Sequence, residues 1–209
     1  MSGGAGTVPT VYSGRCDEMQ HGAREAALMV RAAAGERPVR LIVNGAPPET
    51  VGAARRLLSN LAGRAVEVRA LNPDKRAQRD AIAAADVVLV PCRDEHVGLT
   101  ALDAIAAGVP VLVADTSGMG RFLLHSGRVD PGLARHAVIT REPGEAAAPL
   151  ERWSTELAAT LADPDAARAR AARLREALVA ALATLESAGA SAGDLVKAIV
   201  AAREDGSGA

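Results

Sequence analysis

Aromatic residues are nearly missing from this chain: Tyr12, Phe122 and Trp153 are the only three in 209 positions. A packed interior must therefore be built from Ala, Val, Leu and Ile, and Trp153 reads as a core or interface residue rather than a platform for bases. Cysteine is scarce as well. Cys16 and Cys92 follow no metal-ligand spacing and the four histidines are scattered, which argues against a metal site and for a reduced, cytoplasmic setting. Charge of one sign is absent too: the formal net charge is −1, so a broad electrostatic grip on nucleic acid is excluded. No run approaches the ~20 apolar residues that span a bilayer. The Met-Ser-Gly-Gly-Ala-Gly start has neither the basic residues nor the apolar stretch of a secretory signal. A soluble intracellular protein without a transmembrane segment is expected.

What is present is an alternation. Short β-branched runs at 8–13, 39–43, 66–69, 87–90, 111–114 and 137–140 predict strands. Alanine-rich segments at 23–34, 49–62, 75–85, 99–107 and 119–124 predict helices between them. The runs at Val87 and Val111 are apolar on both faces, as strands of a covered parallel sheet are. The expected fold is α/β: a doubly wound, six-stranded parallel sheet, Rossmann-like, with C-terminal helices.

Those helices begin near residue 150. Trp153, Leu157 and Leu161 share a face, Asp163-Pro164 breaks the helix and starts another, and Leu174, Leu178, Leu182 and Leu185 form its apolar stripe. The arginines from 168 to 175 read as a wet face. A break at 191–194 precedes a last short helix. In sum, residues 1–7 are expected to be flexible, 8–203 to form one domain, and 204–209 to be a tail.

In an open parallel sheet, ligands bind beyond the carboxyl ends of the strands, near the point where strand order reverses. Three loops leave such ends, at 14–22, 91–98 and 115–120, and each carries glycine and polar residues. The middle one ends in Gly98-Leu99-Thr100, which opens a helix. First-turn amides and the positive end of the helix dipole suit a diphosphate there, and glycine lets a ligand approach the backbone. Asp103, just over one turn into the helix, is placed to accept hydrogen bonds from vicinal hydroxyls such as those of ribose. The plainer alternatives are that Asp103 solvates the helix start and that Glu95 is a loop acid.

The segment from Asp86 to Val113, with Glu95-His96-Val97-Gly98-Leu99 and then Asp103, resembles the donor half of GT-B fold retaining glycosyltransferases of the group 1, family 4 type. Their pattern is Glu, seven residues, Glu, with Gly-x-Gly-Leu after the first acid. Here His96 stands at the first glycine and Asp103 at the second Glu, which shortens the reach of that acid by roughly 1.5 Å. The first strand and loop, with Gly14-Arg15 and then His21-Gly22, are similar to the family's Gly-Arg and Lys-Gly, His21 standing at the lysine. The loop Asp115–Arg121 matches the small-residue turn after strand five, with Gly120-Arg121 where the family commonly has Pro-Glu.

The resemblance implies a site bound through Arg15, His21, Gly98, Leu99, Thr100 and Asp103, with Glu95 as the catalytic acid beside the transferred sugar. The implied donor substrate is a nucleotide-diphosphate sugar, with no separate cofactor and no metal. His96 would either fill the space beside the sugar, shifting preference toward the nucleoside diphosphate itself, or read a different ligand. Complete GT-B enzymes hold the acceptor in an N-terminal domain, and 209 residues accommodate one such domain rather than two. Transfer is then expected to need an acceptor domain on a partner chain. The alternative is a non-catalytic module that senses a nucleotide or nucleotide-sugar or binds a protein.

Overall fold

The computed structural model describes residues 8–14, 22–92, 98–146 and 148–187. The expectations for 1–7, for 191–194 with its following helix and for 204–209 lie outside the described residues. Strands β1 (Thr10–Ser13), β2 (Arg40–Ala46), β3 (Val66–Ala70), β4 (Val87–Val90), β5 (Val111–Ala114) and β6 (Val138–Ile139) form one sheet in the order β3-β2-β1-β4-β5-β6. Every pairing is parallel. The doubly wound arrangement expected from the alternation is present.

Alternation along each strand assigns its side chains to two cores. Val11, Leu41, Val43, Val87 and Leu89 pack beneath α1 (Ala23–Ala34), α2 (Val51–Ala62) and α7 (Leu150–Ala162). Tyr12, Ile42, Val88, Val90 and Val113 face α3 (Lys75–Ala83), α4 (Leu99–Ala106), α5 (Gly118–His125), α6 (Pro131–Ala134) and α8 (Pro164–Ser187). All four residues of β4 and of β5 are buried, which explains their unbroken apolar sequence. The three aromatics are core residues: Tyr12, Phe122 and Trp153 are all buried.

Element boundaries moved where proline, glycine or a cap intervened. β1 begins at Thr10, after Pro9, and β2 runs on to Ala46 through an irregularity between Asn44 and Ala46. A short 3-10 turn, Pro48–Thr50, takes the predicted start of α2. α6 was not foreseen; Pro131 opens it and the Asp130 carboxylate accepts from the Leu133 amide at 3.1 Å. The break at Asp163 is as expected, its carboxylate capping α8 through the Ala166 amide at 3.0 Å. Leu174 and Leu178 are buried, while the side chains of Leu182 and Leu185 lie outside the described residues. Arg168 departs from a merely wet face: it reaches Asp86 at 3.0 Å. Among the described residues no helix is long and apolar enough to cross a membrane.

Asp86 ties the amino edge of the sheet together. One of its oxygens accepts from the Thr10 amide at 2.8 Å, fixing the start of β1 against β4, and the other pairs with Arg168 of α8. Asp86→Ala leaves that amide and guanidinium without their acceptor, and a loss of about 1–2 kcal/mol in urea-monitored stability is expected. An unchanged midpoint would show that the pair is idle.

Tyr12 sits in the middle of β1. Burial, opposed weakly by Arg69 and Asn44 and reinforced by Asp103, pushes its hydroxyl up to about 12. The Asn44 amide is close enough to favour the ionised form, yet Tyr12 Oη completes no hydrogen bond of ordinary geometry. Because it is the sole tyrosine, phenolate absorbance reports this residue alone. The folded protein should ionise near pH 12 and the denatured chain near the ordinary value of about 10. Folded and denatured curves that coincide would contradict the burial. The sign follows: the folded state keeps its proton longer, so this group's contribution to stability falls as pH rises above about 10.

Candidate functional site

Sheet order places the switch between β1 and β4, adjacent and parallel strands. The chain leaves β1 for α1 on one face and leaves β4 for α4 on the other. In a parallel sheet the crevice lies between two such departures, and the described residues beside it are Gly14 after β1, Gly98 before α4 and Ser117 to Gly120 after β5.

Their contacts are close enough to require glycine. A Cβ on Gly14, just beyond β1, would lie 2.9 Å from Thr100 Oγ1 in the first turn of α4. One on Gly98 would lie 2.7 Å from Met119 Cβ, and Gly98 holds φ +74°, a left-handed conformation suited to glycine. One on Gly120 would lie 2.1 Å from the Ala114 carbonyl oxygen. Ser117 closes this third turn: its hydroxyl donates to the Ala114 carbonyl at 2.7 Å and accepts from the Gly120 amide at 3.0 Å. The end of β1 thus touches the first turn of α4, and the residue before α4 touches α5, at van der Waals distance.

Within α4 the hydrogen-bond ladder starts with the Leu102 amide donating to the Gly98 carbonyl at 2.9 Å. The amides of Leu99, Thr100 and Ala101 therefore have no place in it. Thr100 is buried against Gly14, so its side chain positions the loop, while Leu99 is 57% exposed at the mouth of the crevice. Asp103 is one turn further along, its side chain 32% exposed and its Oδ1 3.6 Å from Arg79 Nε of α3. Gly98, Leu99, Thr100 and Asp103 are brought together as the spacing implied. Arg15, His21 and Glu95, with His96, lie outside the described residues.

Sequence reasoning missed several neighbours of this end of the sheet. Arg79 carries no local signal, because only the packing of α3 beside α4 brings it to Asp103. Ser13 and Thr116, at the carboxyl ends of β1 and β5, bury hydroxyls that, like that of Tyr12, have no hydrogen-bond partner among the described residues. Further along the β2 and β3 edge, burial of Glu67 opposes its ionisation, but hydrogen bonds from Arg40 and Arg69 outweigh it and hold the carboxyl below the usual range. A separate cavity of about 30 Å³ lies at the opposite, amino end, lined by Pro110, His136, Arg170 and Leu174 among others. It is far smaller than the ~300 Å³ or more that small-molecule sites occupy. Among the described residues no group of three or more His, Cys, Asp or Glu is arranged to hold a metal.

Known proteins resemble this chain in sequence and in fold. A D-inositol 3-phosphate glycosyltransferase from Gordonia bronchialis is 33% identical over 144 residues, covering 67% of this chain and 29% of that protein. The chain spans between 20% and 35% of the length of such curated relatives. Among solved structures, the C-terminal domain of a glycosyl transferase group 1 family protein (LpcC) from Francisella tularensis superposes with a TM-score of 0.61 at 16% identity, over 83% of this chain and 87% of that one. The pneumococcal O-GlcNAc transferase GtfA, in complex with UDP and GlcNAc, gives 0.60 at 13% identity, over 94% of this chain and 35% of that one. These likenesses give the fold, that of the C-terminal half of GT-B glycosyltransferases. Residues 3–191 match the family described as "Family 4 Glycosyltransferase in conflict systems", and to that family this chain belongs.

Proposed function

We propose that residues 8–203 act as one donor-binding domain, which takes a nucleoside diphosphate or nucleotide-sugar into the crevice between β1 and β4. The observation that carries this reading is the junction of Gly14 with the first turn of α4. It sets unladdered amides beside Gly14, the residue that precedes Arg15 in the sequence. The diphosphate rests on the amides of Leu99 and Thr100 at the positive end of α4. Arg15 and His21 supply charge from the β1 loop, the guanidinium being suited to bidentate phosphate contact. Asp103 accepts from the ribose hydroxyls, and Glu95 stands beside the sugar. Buried, unpartnered hydroxyls on Ser13 and Thr116 fit a strand end that receives a polar ligand. The complex of a structural neighbour with UDP supports the same class of ligand.

Hexosyl transfer follows when an acceptor domain on a partner chain closes over the crevice. As the sugar–phosphate bond breaks, negative charge grows on the departing diphosphate, where the helix amides and Arg15 oppose it. The acceptor has to be held at the same time for that stabilisation to yield transfer rather than binding. Beyond the donor and the acceptor this chemistry calls for no separate cofactor, and the cytoplasm, the setting its few cysteines suit, is where the protein works.

A thermal-shift panel of nucleotides and nucleotide-sugars tests the reading. A ligand at 100 times its Kd adds about 2.7 kcal/mol to the native state, a clear rise in melting temperature. Asp103→Ala should weaken uridine or guanosine diphosphate by about 1–3 kcal/mol through loss of charge-assisted hydrogen bonds. No shift with any nucleotide would overturn the reading, and an unchanged Kd in the variant would remove Asp103 from it.

A further inference from the structure

Asp103 is held by a residue from another helix. Arg79 lies on α3, one turn before the fully buried Ile82, and its Nε approaches Asp103 Oδ1 at 3.6 Å. Among the described residues Asp103 is the only ion-pair partner of Arg79; its neighbour Arg76 pairs instead with Asp80. The contact is longer than an ordinary hydrogen bond, so the guanidinium acts on the carboxylate chiefly through charge. It engages one oxygen and leaves the other to a donor. Exposure settles which role this suits. Arg79 is 67% exposed and Asp103 32%, and an ion pair in such surroundings is too weak to keep a diol out. It is strong enough to bias the few rotamers open to a short aspartate side chain.

Resting on the donor-site reading, we propose that Arg79 is a positioning residue. It orients Asp103 so that the free carboxylate oxygen meets the ribose hydroxyls, and in this way it sets the preference of the site for ribonucleotides over 2′-deoxyribonucleotides. The shortened acid makes such a partner useful. An aspartate that swings away loses the diol, because the missing methylene leaves it no spare reach. The guanidinium comes from α3, whose distance from α4 is fixed by core packing, so the orientation is built into the fold and needs no ligand to induce it.

Calorimetric titration of the full chain and of Arg79→Ala and Arg79→Lys with UDP, dUDP, GDP and dGDP tests this. The wild type should favour the ribo form. Arg79→Ala should lose up to about fivefold of the ribo-to-deoxy ratio, chiefly through weaker ribonucleotide binding. Arg79→Lys, which keeps the charge without the planar fork, should recover part of it. Deoxynucleotide affinity that stays constant across the three proteins shows that the fold and the diphosphate contacts are intact. A ratio unchanged in Arg79→Ala would overturn the proposal while leaving the donor site standing. So would a wild type with no ribo preference, or tighter ribonucleotide binding by Arg79→Ala, which would make Arg79 a competitor for Asp103. A wild type that binds none of the four would remove the donor site and Arg79's role together.

Discussion

Two neighbouring parallel strands that send the chain in opposite directions are the constraint on which the rest depends. β1 and β4 pair in register, Val11 with Val87 and Ser13 with Leu89, yet α1 and α4 must cover opposite faces. No crossover can bridge the gap between their departure points, so the carboxyl edge of the sheet is open there by topology rather than by accident of loop length. The apolar strands flanking this point force it on the chain. β4 and β5 bury every residue, and only helices on both faces satisfy them.

A core nearly without aromatics shapes the same region. Alanines such as Ala26, Ala27, Ala101 and Ala104 face the sheet and let helices approach it closely. The loops are compressed to match: Gly14 on Thr100, Gly98 on Met119 and Gly120 on the Ala114 carbonyl leave no space for a Cβ. Local sequence and global fold agree at these points, since each glycine serves a backbone approach that also delimits the crevice. Polar groups complete the picture: hydroxyls of Ser13 and Thr116 are buried at the strand ends that border the opening.

Much of this was legible in the sequence. All six strands, and the helices of the alternating region apart from α6, were readable from the sequence, β4 and β5 most plainly because strands buried on both faces have no polar positions to obscure the pattern. The break at Asp163-Pro164 and the start of α4 after Gly98 were readable because caps, proline and glycine act within one turn. Boundaries failed where a proline reset an element's start, as before β1 and α2, or where the deciding factor was tertiary or the element very short. β2 outruns its apolar run because β3 pairs with it as far as Ala46, and the four residues of α6 are too few for a periodic signal. The site divided in the same way. Gly98, Leu99, Thr100 and Asp103 follow from spacing along one helix. Arg79 and Asp86 do not, since ion pairs to Asp103 and Arg168 span 24 and 82 positions. Arg15, His21 and Glu95 rest on resemblance to the family.

The central claim is that a diphosphate sits on the first turn of α4, across from the end of β1. A crystal structure of the protein soaked with UDP or GDP tests it most directly. The account predicts phosphate oxygens within hydrogen-bond distance of the Leu99 and Thr100 amides, with Arg15 turned toward them and a ribose hydroxyl on Asp103. Nucleotide bound elsewhere, or a phosphate at α4 with Arg15 directed into solvent, would contradict it.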